Sequence, residues 1–365
     1  MRGRFVIAGL IGLMLLVLGA IVLGCGGEST TTTTADSMEG TESETTATEG
    51  TETTQATESM EGGEEIVLKA VTAWPENIKD NAGLFSLRDK VNEAGKGKVR
   101  IEYLGGPEVI DTMEQPSALQ SGTIDIAWLS AGYTASLNPV SNAVKLSKMS
   151  PAEERESGVT ELWNQYFGEH VNARLLAKGS APDVRFHIYT AKPIESMADF
   201  DGVPIRTTPA YFDFVTALGG SPVNMTPGDV YSALERGVVE GYGWPAYGIS
   251  DFGWDELTEY VIDPGFYQVD CLGLINLDSW NKLPQDVQDI ITQASIETET
   301  EMADHFRQIA EDDRAMITTD AGVEVIEYTG DEAQRYVDTA YQAVWDKVMQ
   351  DVPEEGAAVK EALGQ

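Results

Sequence analysis

The sequence predicts an α/β fold of two lobes facing each other across a cleft, with long helices at the C-terminal end. Strand-like and helix-like stretches alternate from Ile66 onward, one helix–glycine–strand unit occurs twice, and the last third has helical spacing. A folded part spanning residues 66–365 is about 300 residues long, enough for two lobes.

The elements follow in order. Ile66–Trp74 reads as a strand stopped by Pro75, and Leu84–Ala94 as a helix ending at Gly95. Val99–Leu104 is a second strand, closed by Gly105-Gly106-Pro107. Met113–Gln120 is a short helix that Gly122 terminates, and Thr123–Leu129 a third strand. The run Ser117-Ala118-Leu119-Gln120-Ser121-Gly122-Thr123-Ile124-Asp125 is echoed by Ser232-Ala233-Leu234-Glu235-Arg236-Gly237-Val238-Val239-Glu240. Each copy gives a helix end, a glycine stop, two β-formers and a carboxylate, then an aromatic, glycine-rich stretch. Val184–Thr190 and Val203–Arg206 are further strands. Pro284-Gln285-Asp286 caps a long helix over Val287–Met316; Val323–Tyr328 is a strand and Glu332–Met349 the final helix. The acidic residues at 297–313, Asp312-Asp313 among them, are expected on the wet face of the long helix.

The N-terminal end sets the compartment. Arg2 and Arg4 precede residues 5–23, which carry no charge, and this basic-then-apolar order is that of a secretory signal. An uncleaved anchor helix is the competing reading of so long an apolar run. Val22-Leu23-Gly24-Cys25 is a bacterial lipobox pattern, which favours cleavage after residue 24 and a diacylglycerol on Cys25. Residues 28–65 hold eleven acidic residues and no aromatic, Lys or Arg, so they cannot offset their ordering entropy by burial and form a tether. The expected organisation is a leader at 1–24, a lipidated cysteine and tether at 25–65, and a first lobe at 66–183 to which about 272–312 returns. A second lobe then takes 184–271, and 313–365 packs across both.

The formal charge of −36 divides as +2 in the leader, −11 in the tether and −27 in the folded part. That balance excludes nucleic acid as a partner and requires any anion site to be a local basic pocket. With Cys25 lipidated, Cys271 has no disulfide partner and reads as a small packed hydrophobe. The three histidines fall in no catalytic signature, and no nucleophile elbow, metal-binding His pair or phosphate loop occurs. An enzyme is therefore not expected; no cofactor is assigned, and no residue is assigned as a metal ligand.

Three ordered blocks carry a family resemblance: Gly122–Ala127; Lys192-Pro193-Ile194 with Asp199–Arg206, Leu218–Val223 and Val230–Gly237; and Ser279-Trp280-Asn281-Lys282-Leu283-Pro284. Across about residues 66–345 the chain resembles the solute-binding proteins of tripartite ATP-independent (TRAP) transporters, the dicarboxylate and sialic-acid type. The resemblance implies a periplasmic-binding-protein-like (class II) fold, a small-molecule carboxylate ligand, delivery to a small and a large membrane subunit, and a monomer. A binding protein of an ATP-driven importer or a ligand sensor with the same two-lobed fold is the alternative.

By that resemblance Arg206, ending its strand, holds the ligand carboxylate; a guanidinium pairs bidentately with a carboxylate and stays charged when buried. Read without it, Arg206 could equally pair with a nearby Asp or Glu. Arg185 is a second candidate, although one residue of register decides whether Arg185 or Phe186 takes the family position, since the two lie on opposite strand faces. Ser130 and Tyr133 follow the first-lobe strand at ligand-contact positions, and Thr72 and Trp74 end the first strand similarly. Where many members have Glu-Asn or Glu-Trp, this chain has Gly243-Trp244-Pro245, which argues against a sialic-acid-like ligand or a cation-bridged keto acid. Trp74, Tyr133, Tyr211, Trp244 and Tyr247 are candidate cleft aromatics, with Trp128 expected in the core. Such walls favour an apolar or aromatic-bearing carboxylate over a small dicarboxylate.

Overall fold

The computed structural model describes residues 64–365; the leader, Cys25 and nearly all of the tether lie outside the described residues. Among the described residues, no helix is long and apolar enough to cross a membrane.

Two sheets organise the chain. The first is built from β1 (Ile66–Thr72), β2 (Val99–Gly105), β3 (Ile126–Ser130) and β4 (Ala173–Gly179). The second contains β5 (Phe186–Thr190), β6 (Pro204–Thr207), β7 (Ser221–Asn224), β8 (Gly241–Pro245) and β9 (Tyr260–Asp263). The chain then returns with β10 (Cys271–Asn276) to the first sheet and adds β11 (Glu324–Glu327) to the second. The orders are β2-β1-β3-β10-β4 and β11-β9-β5-β8-β6-β7.

The two sheets share one plan. In each, a strand pairs in parallel with the next two in sequence, β1 with β2 and β3, β6 with β7 and β8. In each, the fourth position goes to an antiparallel strand arriving from the other lobe, β10 beside β3 and β5 beside β8. The repeated sequence unit is a repeated cap. Gly122 and Gly237 take positive φ of 73° and 68°, which glycine adopts without strain. Thr123 N–H reaches Ala118 C=O at 2.9 Å and Val238 N–H reaches Ala233 C=O at 2.9 Å, the six-to-one bond of a Schellman stop.

Boundaries differ from expectation where the chain leaves a sheet. β1 stops at Thr72, two residues early, because the backbone turns there to carry Trp74 inward. β3 starts at Ile126, because residues 123–125 complete the helix stop.

Two short crossings join the lobes, and they pair with each other. Arg185 bridges to Gln268, and Val269 N–H donates to Val184 C=O at 3.1 Å. The helix Gln285–Thr319 is a third connection of 35 residues, about 50 Å long at 1.5 Å per residue. It packs on the helix Ala82–Ala94 and on β4, and its far end joins Arg314 to Asp263 at 2.6 Å. The acidic stretch of this helix, expected from sequence on the wet face, is in part buried. Glu299 and Asp313 fall on its buried stripe with Met302, Phe306 and Ile317. Glu299 pairs with Arg155, and Asp313 meets Lys79 Nζ at 3.0 Å and accepts Gly248 N–H at 2.7 Å. The helices Gly330–Asp351 and Pro353–Ala362 finish the chain. Trp128 is fully buried in the first lobe, its indole N–H bonded to Asp80 C=O at 2.8 Å.

Candidate functional site

The parallel strands β1, β3, β6 and β8 end at one place, as expected of ligand sites at the carboxyl ends of α/β strands. Trp74 follows β1, Ser130 ends β3, Tyr133 sits in the turn after it, Tyr211 follows β6, and Trp244 lies near the end of β8. All five line one cavity of about 30 Å³, whereas Thr72 and Tyr247, also expected at the cleft, are not part of its lining. Trp74 meets Tyr133 edge to face at 6.5 Å, and Tyr211 lies 6.0 Å from Phe186 across the opposite wall.

Arg206 is 0% exposed and stands directly behind that wall. Its Nη1 donates to the Tyr211 hydroxyl at 2.7 Å, and its Nε donates to Met225 C=O at 3.2 Å. The guanidinium packs over the indoles of Trp244 and Trp254 at 5.5 and 6.0 Å. Tyr211 in turn donates to Gly243 C=O at 2.6 Å. A side chain at Gly243 would overlap the Tyr211 ring within 2.6 Å, so the Gly-Trp-Pro departure from the family pattern is what admits this tyrosine. Among the described residues no carboxylate pairs with Arg206, and its Nη2 is buried with no protein acceptor.

Arg185 is not brought to the cavity. The pairing of β5 with β8 opposes Phe186 to Pro245 and turns Phe186 inward. Arg185 points the other way, donating to Phe266 C=O at 3.0 Å in a groove it shares with Arg307 and Arg314.

The first lobe lines the cavity with two acids that carry no sequence signature. Asp270, on the second crossing, accepts from Ser130 Oγ at 2.9 Å and from Ala131 N–H at 3.1 Å. Burial raises its pKa, and the charge of buried Lys145 opposes that rise. Burial likewise brings Lys145 down to about 8. Asp80 lies in the turn Lys79–Asn81 and is 2% exposed. Its Oδ1 accepts from the Tyr247 hydroxyl at 3.4 Å and from Cys271 Sγ at 3.7 Å, while Oδ2 has no partner. Burial first, and the charge of Asp251 second, push its pKa up to about 7. Tyr133 stands between these groups: burial raises its hydroxyl, Arg206 pulls it down, and Asp80 and Asp270 push it up.

The lobes are joined close by. Lys79 Nζ bonds Asp251 Oδ1 at 2.6 Å, and the Lys79 N–H donates to the same carboxylate at 3.2 Å. Among the described residues, Glu169, His170 and Glu355 could converge on a cation, but His170 and Glu355 already bond each other at 2.9 Å.

Two lobes hinged over an aromatic-walled cavity form the architecture of a solute-binding protein. The DctP profile, bacterial extracellular solute-binding protein family 7, matches residues 70–351. The chain belongs to that family, the solute-binding proteins of TRAP transporters. It is 22% identical over 250 residues to the monocarboxylate 2-oxoacid-binding periplasmic protein of Nostoc sp., covering 65% of this chain and 67% of that one. A TRAP periplasmic solute-binding protein from Desulfovibrio salexigens, solved with bound orotic acid, superposes with a TM-score of 0.75 at 20% identity, covering 82% and 98% of the two chains. A Bordetella pertussis extracytoplasmic solute receptor binding pyroglutamic acid gives 0.72 at 16% identity over 82% and 99%.

Proposed function

We propose that this protein captures a small organic acid outside the cytoplasmic membrane, with Arg206 as the carboxylate clamp, and passes it to the small and large membrane subunits of a TRAP transporter. One observation carries the reading: Arg206 is fully buried, has no counter-charge among the described residues, and keeps Nη2 unbonded by them beside an aromatic cavity. A permanently charged guanidinium in such a place is stabilised by an incoming carboxylate, which the planar fork receives with two hydrogen bonds. Tyr211, Trp244, Trp74 and Tyr133 supply the apolar body of the pocket, and Ser130 a polar edge. The relatives that bind a 2-oxoacid, orotic acid and pyroglutamic acid are all carboxylate binders, which supports the same class here. A small-molecule pocket is typically about 300 Å³ or more, so the lobes part to admit the ligand and close over it. Lipid on Cys25 and the acidic tether would hold the folded part near the membrane, with a monomer as the working unit.

Thermal unfolding of the refolded protein against organic acids, sugars and amino acids tests the reading. A ligand at about 100 times its dissociation constant adds roughly 2.7 kcal/mol, a rise of a few degrees. A rise confined to carboxylates is expected; rises with sugars alone would overturn the carboxylate clamp.

A further inference from the structure

We infer that the ligand carries an N–H donor as well as its carboxylate, and that Asp80 receives it on the side of the cavity opposite Arg206. The inference rests on the carboxylate reading and adds the second half of the recognition. Asp80 lines the cavity from the first lobe and is 2% exposed, yet its Oδ2 bonds nothing among the described residues. No lysine or arginine among the described residues pairs with it; neighbouring Lys79 is held by Asp251 and Asp313.

The other acid in the cavity makes the contrast. Asp270 has both oxygens satisfied, by Ser130 and by the Ala131 N–H, so it shapes the wall. Asp80 has one oxygen left over in the cavity lining, and Arg206 has one nitrogen left over behind the wall that Tyr211 and Trp244 form. Buried polar groups are normally bonded, and these two unmatched atoms of opposite character call for a ligand with matching ends. Where Asp80 is ionised, a second ligand carboxylate beside it would meet a like charge, so a plain dicarboxylate fits badly. A ring or short chain with a carboxylate at one end and an amide, amine or imide N–H at the other fits both atoms, with Trp74 and Trp244 against its apolar faces.

Isothermal titration of the full protein at about pH 8.5, where Asp80 is ionised, tests this with matched pairs of equal charge: pyroglutamate against the lactone acid in which ring oxygen replaces N–H, and N-acetylglycine against acetoxyacetate. The N–H member should bind at least about tenfold tighter, the scale of a hydrogen bond to a charged group. In Asp80→Leu the preference within each pair should shrink to about twofold or less, the scale left once that bond is gone. The wild-type comparison stands even if that variant does not fold. Equal binding within pairs, tighter binding of the oxygen members, or no binding by either pair overturns the inference. Equal binding leaves the carboxylate clamp intact, whereas methyl esters binding as well as the acids would remove the clamp itself.

Discussion

The two lobes treat their buried cations in opposite ways. Beside the first sheet, Lys178 bonds Glu154 at 2.7 Å, both side chains 1% exposed. Arg155 sets its fork on Glu299 at 2.7 and 2.9 Å, and the Lys178 N–H donates to Glu299 at 3.0 Å. Those cations bring their own counter-charges. In the second lobe Arg206 is as deeply buried but is held by carbonyls, a phenol and two indole faces, with no carboxylate. Buried Lys145, in the first lobe, has no carboxylate partner among the described residues either, but it relieves its burial by a pKa lowered to about 8, an option closed to a guanidinium. A desolvated charge is costly unless paired. The fold itself supplies the pairing for Lys178 and Arg155; on the proposed reading, the pairing of Arg206 is left to the ligand.

Breaking the paired cluster should have the largest effect. Lys178→Met leaves Glu154 buried and alone, so unfolding should become easier by about 3–5 kcal/mol, read as a lower denaturant midpoint, with ligand affinity unchanged. Arg206→Ala should reverse that pattern. Carboxylate affinity should fall about 100-fold, within the roughly 2–5 kcal/mol of a buried charge pair, while the ligand-free protein loses little or no stability. A large stability loss in Arg206→Ala would make it a structural cation like Lys178.

The acids sharpen the same contrast through pH. Asp80 has a folded pKa of about 7 against an ordinary 3.8, so the folded state holds a proton that the unfolded state releases between those values. Stability from this group is therefore greatest at low pH and is lost as pH rises toward 7. Asp80→Asn removes that slope, so its stability relative to wild type should climb between pH 4 and 7, on the order of 1.4 kcal/mol per unit, then level off. Chemical denaturation at a series of pH values reads the difference. The smallest effect belongs to the link between lobes. Lys79→Met removes the bonds to Asp251 and Asp313, a partly exposed pair of contacts together worth about 1 kcal/mol, and should make the ligand-free protein more open by solution scattering.

Much of the fold was legible because its signals are local. The repeated helix stop is written in Gly122 and Gly237 and the two β-formers after each, and it signalled the two similar lobes; in the structure β3 pairs in parallel with β1 and β8 with β6. The motif that ends β6 singled out Arg206, which lies buried behind the cavity wall. Asp80 and Asp270 were not legible, because nothing in Lys79-Asp80-Asn81 or Asp270-Cys271 signals a cavity; each faces it only because the crossings and the lobes meet there. Arg185 and Phe186 were correctly set on opposite faces by strand alternation, but their register depends on Phe186 opposing Pro245, a long-range pairing. Glu299 and Asp313 were misplaced on the wet face because acidic character outweighed position. Their spacing to Met302, Phe306 and Ile317 already put them on the inward stripe.

The most direct measurement is a crystal structure of the refolded protein with the tightest-binding carboxylate from the thermal panel. The expected result is a carboxylate bonded to Arg206 Nη2, with Trp74 or Trp244 against the ligand body and both lobes in contact with it. A ligand seated elsewhere, or one in the cleft whose carboxylate leaves Arg206 unbonded, would contradict the assignment.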